Sequence, residues 1–243
     1  MSHFWGTIGM LLRRVIGHLR KQEWTAIVID FIIVVLGVFV ATQVSDWNTA
    51  RNEQLHADYL ASALHSEFEG IERELVTSLD NITRYQAASR SLVQALRAGD
   101  LPADDDKVKG WILNAINLGR QSPRSAVYLQ MVSDGDLRLI DNAELNAALI
   151  RFDQRIERNA FVYPATLSIM FEQDALFDAV NFDDTGALRG AGRTVLSYDS
   201  KLIKAAESRI EAGSLAQSSL KSAVSEQLDD ARAILAMLEK RAP

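Results

Sequence analysis

The chain has 243 residues, no cysteine, four prolines and a formal net charge of −6. The lack of cysteine excludes disulfides, thiol chemistry and thiolate metal sites. Residues 1–50 hold four basic side chains (Arg13, Arg14, Arg20, Lys21) and three acidic ones (Glu23, Asp30, Asp46), so the acid excess falls in the rest of the chain. That balance argues against nucleic acid, which binds through neutralised phosphates.

In residues 1–22, Phe4, Ile8, Leu11, Leu12, Val15 and Leu19 fall at helical spacing on one side, with the four basic residues mainly on the other. The pattern predicts a basic amphipathic segment on the cytoplasmic side, lying in the membrane interface with its cations near anionic headgroups. A loosely ordered charged tail that only sets topology is the other reading.

Residues 23–47 predict a transmembrane helix. No charge occurs from Phe31 to Val44, and Thr25 to Ile29 extend the run to about 20 residues, enough to cross a hydrocarbon core. Trp24 and Trp47 stand at its ends, where indole rings settle at headgroup level. The core is long and Ala41–Asp46 offers no small-x-small cleavage pair, so an uncleaved signal anchor is expected rather than a cleaved signal peptide. Basic residues precede the span, and Asp46, Glu53 and Asp58 follow it with Arg51. The positive-inside rule then puts the N-terminus in the cytoplasm and residues 48–243 outside it, in a bacterial inner membrane on the periplasmic side.

Asp30, Val34, Gly37, Ala41 and Val44 recur at steps of four and three and share one side of this helix. Gly37 and Ala41 form a small-xxx-small pair, which lets two helices approach closely in lipid. A helix–helix contact is expected there, with a second copy or a partner subunit. Asp30 would hydrogen-bond across it; alternatively Asp30 sits hydrated or protonated near the cytoplasmic interface.

Beyond Trp47 a single helical stripe continues through Leu55, Leu60, Leu64, Phe68, Ile71, Leu75, Leu79, Ile82, Tyr85, Leu92 and Leu96. It predicts a long stalk-like helix to about Ala98, with a candidate kink at Asp80-Asn81 and a stop at Gly99. Asp104-Asp105-Asp106 reads as the cap and first turn of a helix that Gly119 ends. The alternative, a divalent-cation loop, lacks alternating ligand spacing and a glycine turn. Ser122-Pro123 is expected to open the next helix, which stops at Asp134-Gly135. Asp141 and Glu144 have capping-box spacing ahead of Leu145, Leu149, Phe152 and Ile156, and Pro164 kinks or ends that helix. An apolar run from Leu167 to Val180, a loop over Leu188–Thr194, and helix from about Asp199 to Arg241 follow, with a candidate division at Gly213. The last stripe includes Leu202, Ile210, Leu220, Val224, Leu228, Leu235 and Leu238. The fold class is all-α: a transmembrane helix continuing into a long helix, plus a helical bundle.

The run Asp30 through Val38, with Gln43 and Trp47-Asn48, is similar to the N-terminal anchor of a bacterial family of single-pass membrane proteins of unknown function. Ser133-Asp134-Gly135-Asp136-Leu137 with Leu139-Ile140, Asn142 and Leu145 resembles that family's second recurring motif. Members usually carry Glu where Asp30 stands. The resemblance implies a membrane-anchored, all-helical domain and carries no activity.

Catalytic patterns are missing from the sequence. The four histidines are badly placed for a site, and His56 and His65, nine apart on one helix, point to opposite sides. Gly190-Ala191-Gly192-Arg193-Thr194 lacks the ending of a phosphate loop. Glu67, Glu69, Glu72 and Glu74 read as a solvated helix face. The expectation is therefore no enzyme and no cofactor, but an interaction or structural protein, such as an accessory subunit of a membrane complex. Its partners would be the lipid bilayer and a protein reached through the membrane helix. A periplasmic sensor or small-ligand-binding helical module is the alternative.

Overall fold

The structure is a computed structural model describing the backbone of residues 5–103, 105–171, 174–183 and 194–240, and side chains of 24–103, 105–169, 176–183 and 194–240. The two faces expected of residues 1–22, the cap at Asp104 and the 188–193 loop lie outside that description. The fold is all-α with one small hairpin. In order come α1 (Trp5–Ala98), α2 (Asp105–Ala115), α3 (Ala126–Asp134), a 3-10 turn (Asp136–Leu139), α4 (Ala143–Asn159), α5 (Val162–Phe171), α6 (Asp174–Phe177), β1 (Val180–Asp183), β2 (Thr194–Tyr198), α7 (Ser200–Ala205) and α8 (Glu207–Glu239). The chain divides into two units, Met1–Ala57 and Asp58–Pro243.

In the first unit, the N-terminal part of α1 is the one stretch among the described residues long and apolar enough to cross a membrane. Its best 18-residue window has a mean hydropathy of 2.6, and none of that window is buried. Two hydroxyls inside or beside it are satisfied locally, Thr42 donating to the Phe39 carbonyl at 2.8 Å and Thr49 to that of Ser45 at 3.0 Å.

The second unit corrects the expectation of a stalk. Residues 58–98 of α1 are one of its core helices, with no break at Asp80-Asn81. One apolar cluster joins Leu64, Phe68, Leu75 and Ile82 of α1 to Met131 of α3, Leu145, Leu149 and Phe152 of α4, and Val224, Leu228 and Ile234 of α8. Phe68 meets Phe152 edge-on, with ring centroids 5.0 Å apart. Each such side chain, fully buried, contributes about 1.5–3 kcal/mol. A second cluster joins Leu92, Val93 and Leu96 of α1 to Val108 and Ile112 of α2, to the hairpin through Val180 and Val195, and to Ile203 and Ile210.

Between these clusters along α1 and α8 lie buried polar groups. Ser89, fully buried, donates to Gln217 Oε1 at 3.0 Å, and Gln217 Nε2 donates to the Asn117 carbonyl at 3.0 Å. Gln217 thus satisfies the backbone of the non-helical segment after α2, which a buried loop requires.

Several boundaries differ from the sequence reading. The Ser122-Pro123 cap is corrected to Ser125, whose side chain accepts from Tyr128 N. The Asp141 cap is corrected to Asn142, whose Oδ1 accepts from Leu145 N at 3.0 Å. Asn142 ranks with Asp141 as a cap, and Ser125 is the same residue type as Ser122, so the sequence alone does not choose between the candidates. Helix α2 stops at Ala115, not at Gly119. Pro164 falls in the first turn of α5, where its missing N–H needs no partner, so it neither kinks nor ends a helix. The C-terminal helices divide at Ala206, with α7 capped by Asp199, and Gly213 sits inside α8. Leu202 is exposed and Ile203 buried, a one-residue shift of that stripe. Gly99 and Gly135 do end helices, at φ of +71° and +77°.

The hairpin was not legible in the helical reading. Val180 pairs with Tyr198 and Asp183 with Thr194, antiparallel, with an irregularity between Asn181 and Phe182. Thr194, expected in a loop, begins β2.

Candidate functional site

The membrane-contact candidates lie in the first unit, all on α1. Val34 and Val44 are exposed, as are Asp30 and Ala41, and a Cβ built on Gly37 meets no atom within 4 Å. Trp24 and Trp47 are 66% and 65% exposed, and the Arg51 guanidinium lies 5.8 Å from the Trp47 ring. Helical geometry therefore brings the five residues onto one uncovered side, with indoles at the two ends of the apolar stretch.

In the second unit the acids of α1 depart from a uniformly solvated face. Glu67 and Glu72 are half-buried. The Glu67 carboxylate accepts from Ala126 N at 2.7 Å, from Val127 N at 3.2 Å and from the Ser125 hydroxyl. It thereby caps α3, taking the free N–H groups of the first turn and sitting at the positive end of the helix dipole. Glu72 accepts from Arg232 of α8 at 2.8 Å. These two carboxylates are structural ties, while Glu69 and Glu74 remain exposed. His65 Nδ1 lies 3.9 Å from Glu69, and no group of three metal-ligating side chains assembles among the described residues.

Ion pairs bind the helices of this unit from outside. Arg155 of α4 reaches Glu226 and Asp230 of α8, Arg124 reaches Asp153 and Glu157, and Arg97 reaches Glu207 and Glu211. Hydrogen bonds from Lys204 and then Arg97 hold the Glu207 carboxyl below the usual carboxylate range. A hydrogen bond from Lys109 does the same to Asp105, assisted by the Tyr198 hydroxyl. Desolvation, and then the bond to Asp105, raises Tyr198.

A groove of about 770 Å³ opens between α1 and the segment after α2. Arg73, Ser78 and Tyr85 line its α1 wall, and Gly119, Arg120 and Tyr163 line the other. The local sequence explains the shape. Residues 70, 73, 74, 77, 78, 81 and 85 share a polar side of α1, adjoining the stripe that fills the core. The opposing segment lies very close to α1 at Gly119. An added Cβ would come within 2.5 Å of Ile82 Cγ1 and 3.1 Å of the Ser78 hydroxyl. Gly119 is thus required by close approach rather than by a helix stop.

Sequence reasoning missed this groove. Its one usable signal was the polar run at helical spacing, and that pattern also describes an ordinary solvated face. A smaller recess of about 310 Å³ near Arg90 and Leu215 is bordered by Arg97, whose guanidinium is occupied by Glu207 and Glu211. No protein family, no curated protein and no solved structure matches the chain.

Proposed function

We propose that the protein is a membrane-anchored helical interaction protein, held by the N-terminal part of α1 and acting through residues 58–243 outside the cytoplasm. The observation that carries this reading is the uncovered apolar stretch at residues 24–47. Phe31, Ile33, Val34, Val38 and Phe39 are each about 60% exposed. In water such surface costs about 25 cal/mol per Å², and a bilayer removes that cost.

Further support comes from the flanks. Arg13, Arg14, Arg20 and Lys21 precede the stretch, which orients it with the N-terminus in the cytoplasm. The likeness of the anchor to a family of single-pass bacterial membrane proteins fits the same arrangement. The apolar clusters of the second unit are filled by side chains such as Leu64, Leu149 and Val224, none of them exposed, which favours contacts at the surface over a ligand in the bundle core.

The test is topological. A reporter active only in the periplasm, fused after Pro243, gives activity, and the full chain stays with membranes through alkaline carbonate washing. Activity of a cytoplasm-only reporter at the same position, or release by carbonate, overturns the reading.

A further inference from the structure

The groove between α1 and the 117–120 segment carries an inference of its own, because it lies wholly in the second unit and stands whichever side of a membrane that unit occupies. Four observations converge on it. Its volume of about 770 Å³ lies in the range of small-molecule sites. The Ser78 hydroxyl, on a residue only 9% exposed, has no hydrogen-bond partner within the protein. A native buried hydroxyl without a partner is uncommon and points to a group that arrives from outside. Arg73 and Arg120 border the groove and, like Arg90, Arg151 and Arg158 elsewhere on the surface, are ion-paired with no acid among the described residues. Finally, Tyr163 and the face of Tyr85 away from Arg84, whose guanidinium lies 5.6 Å from that ring's centroid, supply two aromatic walls, with Asn81 beside them.

We propose that this groove binds a short acidic saccharide, a sugar chain of a few units bearing a carboxylate. A planar guanidinium suits a carboxylate, which it can grip with two parallel hydrogen bonds. Tyrosine rings present flat apolar faces with a polar tip, which match the C–H face and hydroxyl rim of a pyranose. Ser78 supplies a hydroxyl, and Asn81, whose Oδ1 accepts from Arg84 at 2.7 Å, supplies its Nδ2 as a donor for ring hydroxyls. Glu74, the one acid on the rim, accepts from hydroxyls and disfavours a densely charged polyanion. The 770 Å³ exceeds what a single sugar ring needs, so a disaccharide or longer fragment is the fitting size.

The test uses the full chain in detergent, titrated calorimetrically with digalacturonate, with cellobiose and inorganic phosphate as comparators. Digalacturonate binds at one site per chain, and cellobiose binds at least roughly tenfold more weakly, the worth of a charge-assisted pair. Arg73→Ala with Arg120→Ala removes digalacturonate binding, Ser78→Ala weakens it, and Arg151→Ala on the exposed face of α4 leaves it unchanged. Circular dichroism melts confirm that each variant is folded; should the double alanine variant melt early, Arg73→Gln with Arg120→Gln replaces it. No digalacturonate heat up to about 10 mM, a site too weak to matter by the affinity scale, overturns the proposal. So does binding undiminished in the folded double variant, equal affinity for cellobiose, or phosphate matching digalacturonate.

Discussion

Residues 24–47 and residues 58–98 are both helix, and both belong to α1, yet they meet their surroundings in opposite ways. The first is apolar on every side and buries nothing, from Trp24 at 66% exposure to Trp47 at 65%. The second is apolar on one stripe and buries it: Leu64, Phe68, Ile82 and Leu92 are all at 0%. The backbone accounts for neither behaviour. Circumferential apolarity calls for an apolar surrounding on all sides, a bilayer or a protein core, while a stripe calls for partner helices on one side. Substitutions that are equivalent on paper should therefore have unequal consequences in the two regions.

The largest contrast comes from a buried charge. Leu149→Asp places a carboxylate among the apolar side chains of the first cluster, and should cost more than about 4 kcal/mol, enough to unfold a marginal domain. Thermal melting followed by circular dichroism checks this, and an unchanged melt would remove α4 from the core. Next, Phe68→Ala should cost about 3–5 kcal/mol, through the lost edge contact with Phe152 and the cavity left behind. Phe39→Ala, in the apolar stretch, should leave the same melt unmoved. If both shift it alike, the two regions share one solvent and the comparison fails.

Gly119→Ala tests the close approach that shapes the groove. The clash with Ile82 should cost about 1–3 kcal/mol, typical of overpacking, and pairing it with Ile82→Val should recover part of that loss. Recovery absent from the double variant would locate the strain elsewhere.

In the apolar stretch the measurable effect is on association rather than melting. Single cysteines placed along residues 28–45 of the full chain should crosslink with helical periodicity, peaking on the side of Asp30, Gly37 and Ala41. Gly37→Leu should abolish that peak and Val35→Leu should spare it. A flat pattern, or one peaking elsewhere, discards a contact on this side.

The smallest effect is that of pH. Glu207 and Asp105 have lowered folded pKa values, so their contribution is present above the ordinary carboxylate range and is lost as pH falls through the folded values. Asp105 is exposed and Glu207, half-buried, still borders solvent, so screening keeps the effect slight. The melt should be flat from pH 8 to about 5 and drift down below about 4. Glu207→Gln with Asp105→Asn should reduce the drift, and an unaltered slope would assign it to other carboxylates.

What the sequence disclosed follows from the range over which each signal acts. Apolar stripes are local and periodic, so Leu60, Leu64, Phe68, Ile71, Leu75, Ile82, Leu92 and Leu96 of the buried face of α1 were legible. Leu79 and Tyr85 are only half-buried, Leu55 is exposed, and the buried Ser78, Gln86 and Ser89 carry no apolar signal. The glycine stops at Gly99 and Gly135, which depend on one residue's φ, were legible as well. Whether a stripe ends in a stalk or a core is not local: the same Leu64 and Phe68 serve either, and only Phe152 and Val224, distant in sequence, decide. The cap at Ser125 is similarly decided by Glu67, and the hairpin by pairing between Val180 and Tyr198, 18 positions apart. Gly119 reads in sequence as a helix stop, because a glycine forced by a neighbour's side chain looks the same there as one forced by its own backbone. The groove was hidden for a related reason. Its polar wall repeats at the spacing of any wet helix face, and its other wall comes from a segment without periodicity.

The Glu67 cap has a bearing on how this unit assembles. Helix α3 has nine residues, too short to persist alone in water. Its first-turn amides are closed by a carboxylate 59 positions earlier in the chain, so the start of α3 is completed only once α1 has arrived beside it. A contact of such span carries a loop-closure cost that must be met before it contributes anything. The amides of Ala126 and Val127 thus act as a built-in clock for docking: in a pulse-labelled refolding experiment their protection from hydrogen exchange marks the moment the two helices join.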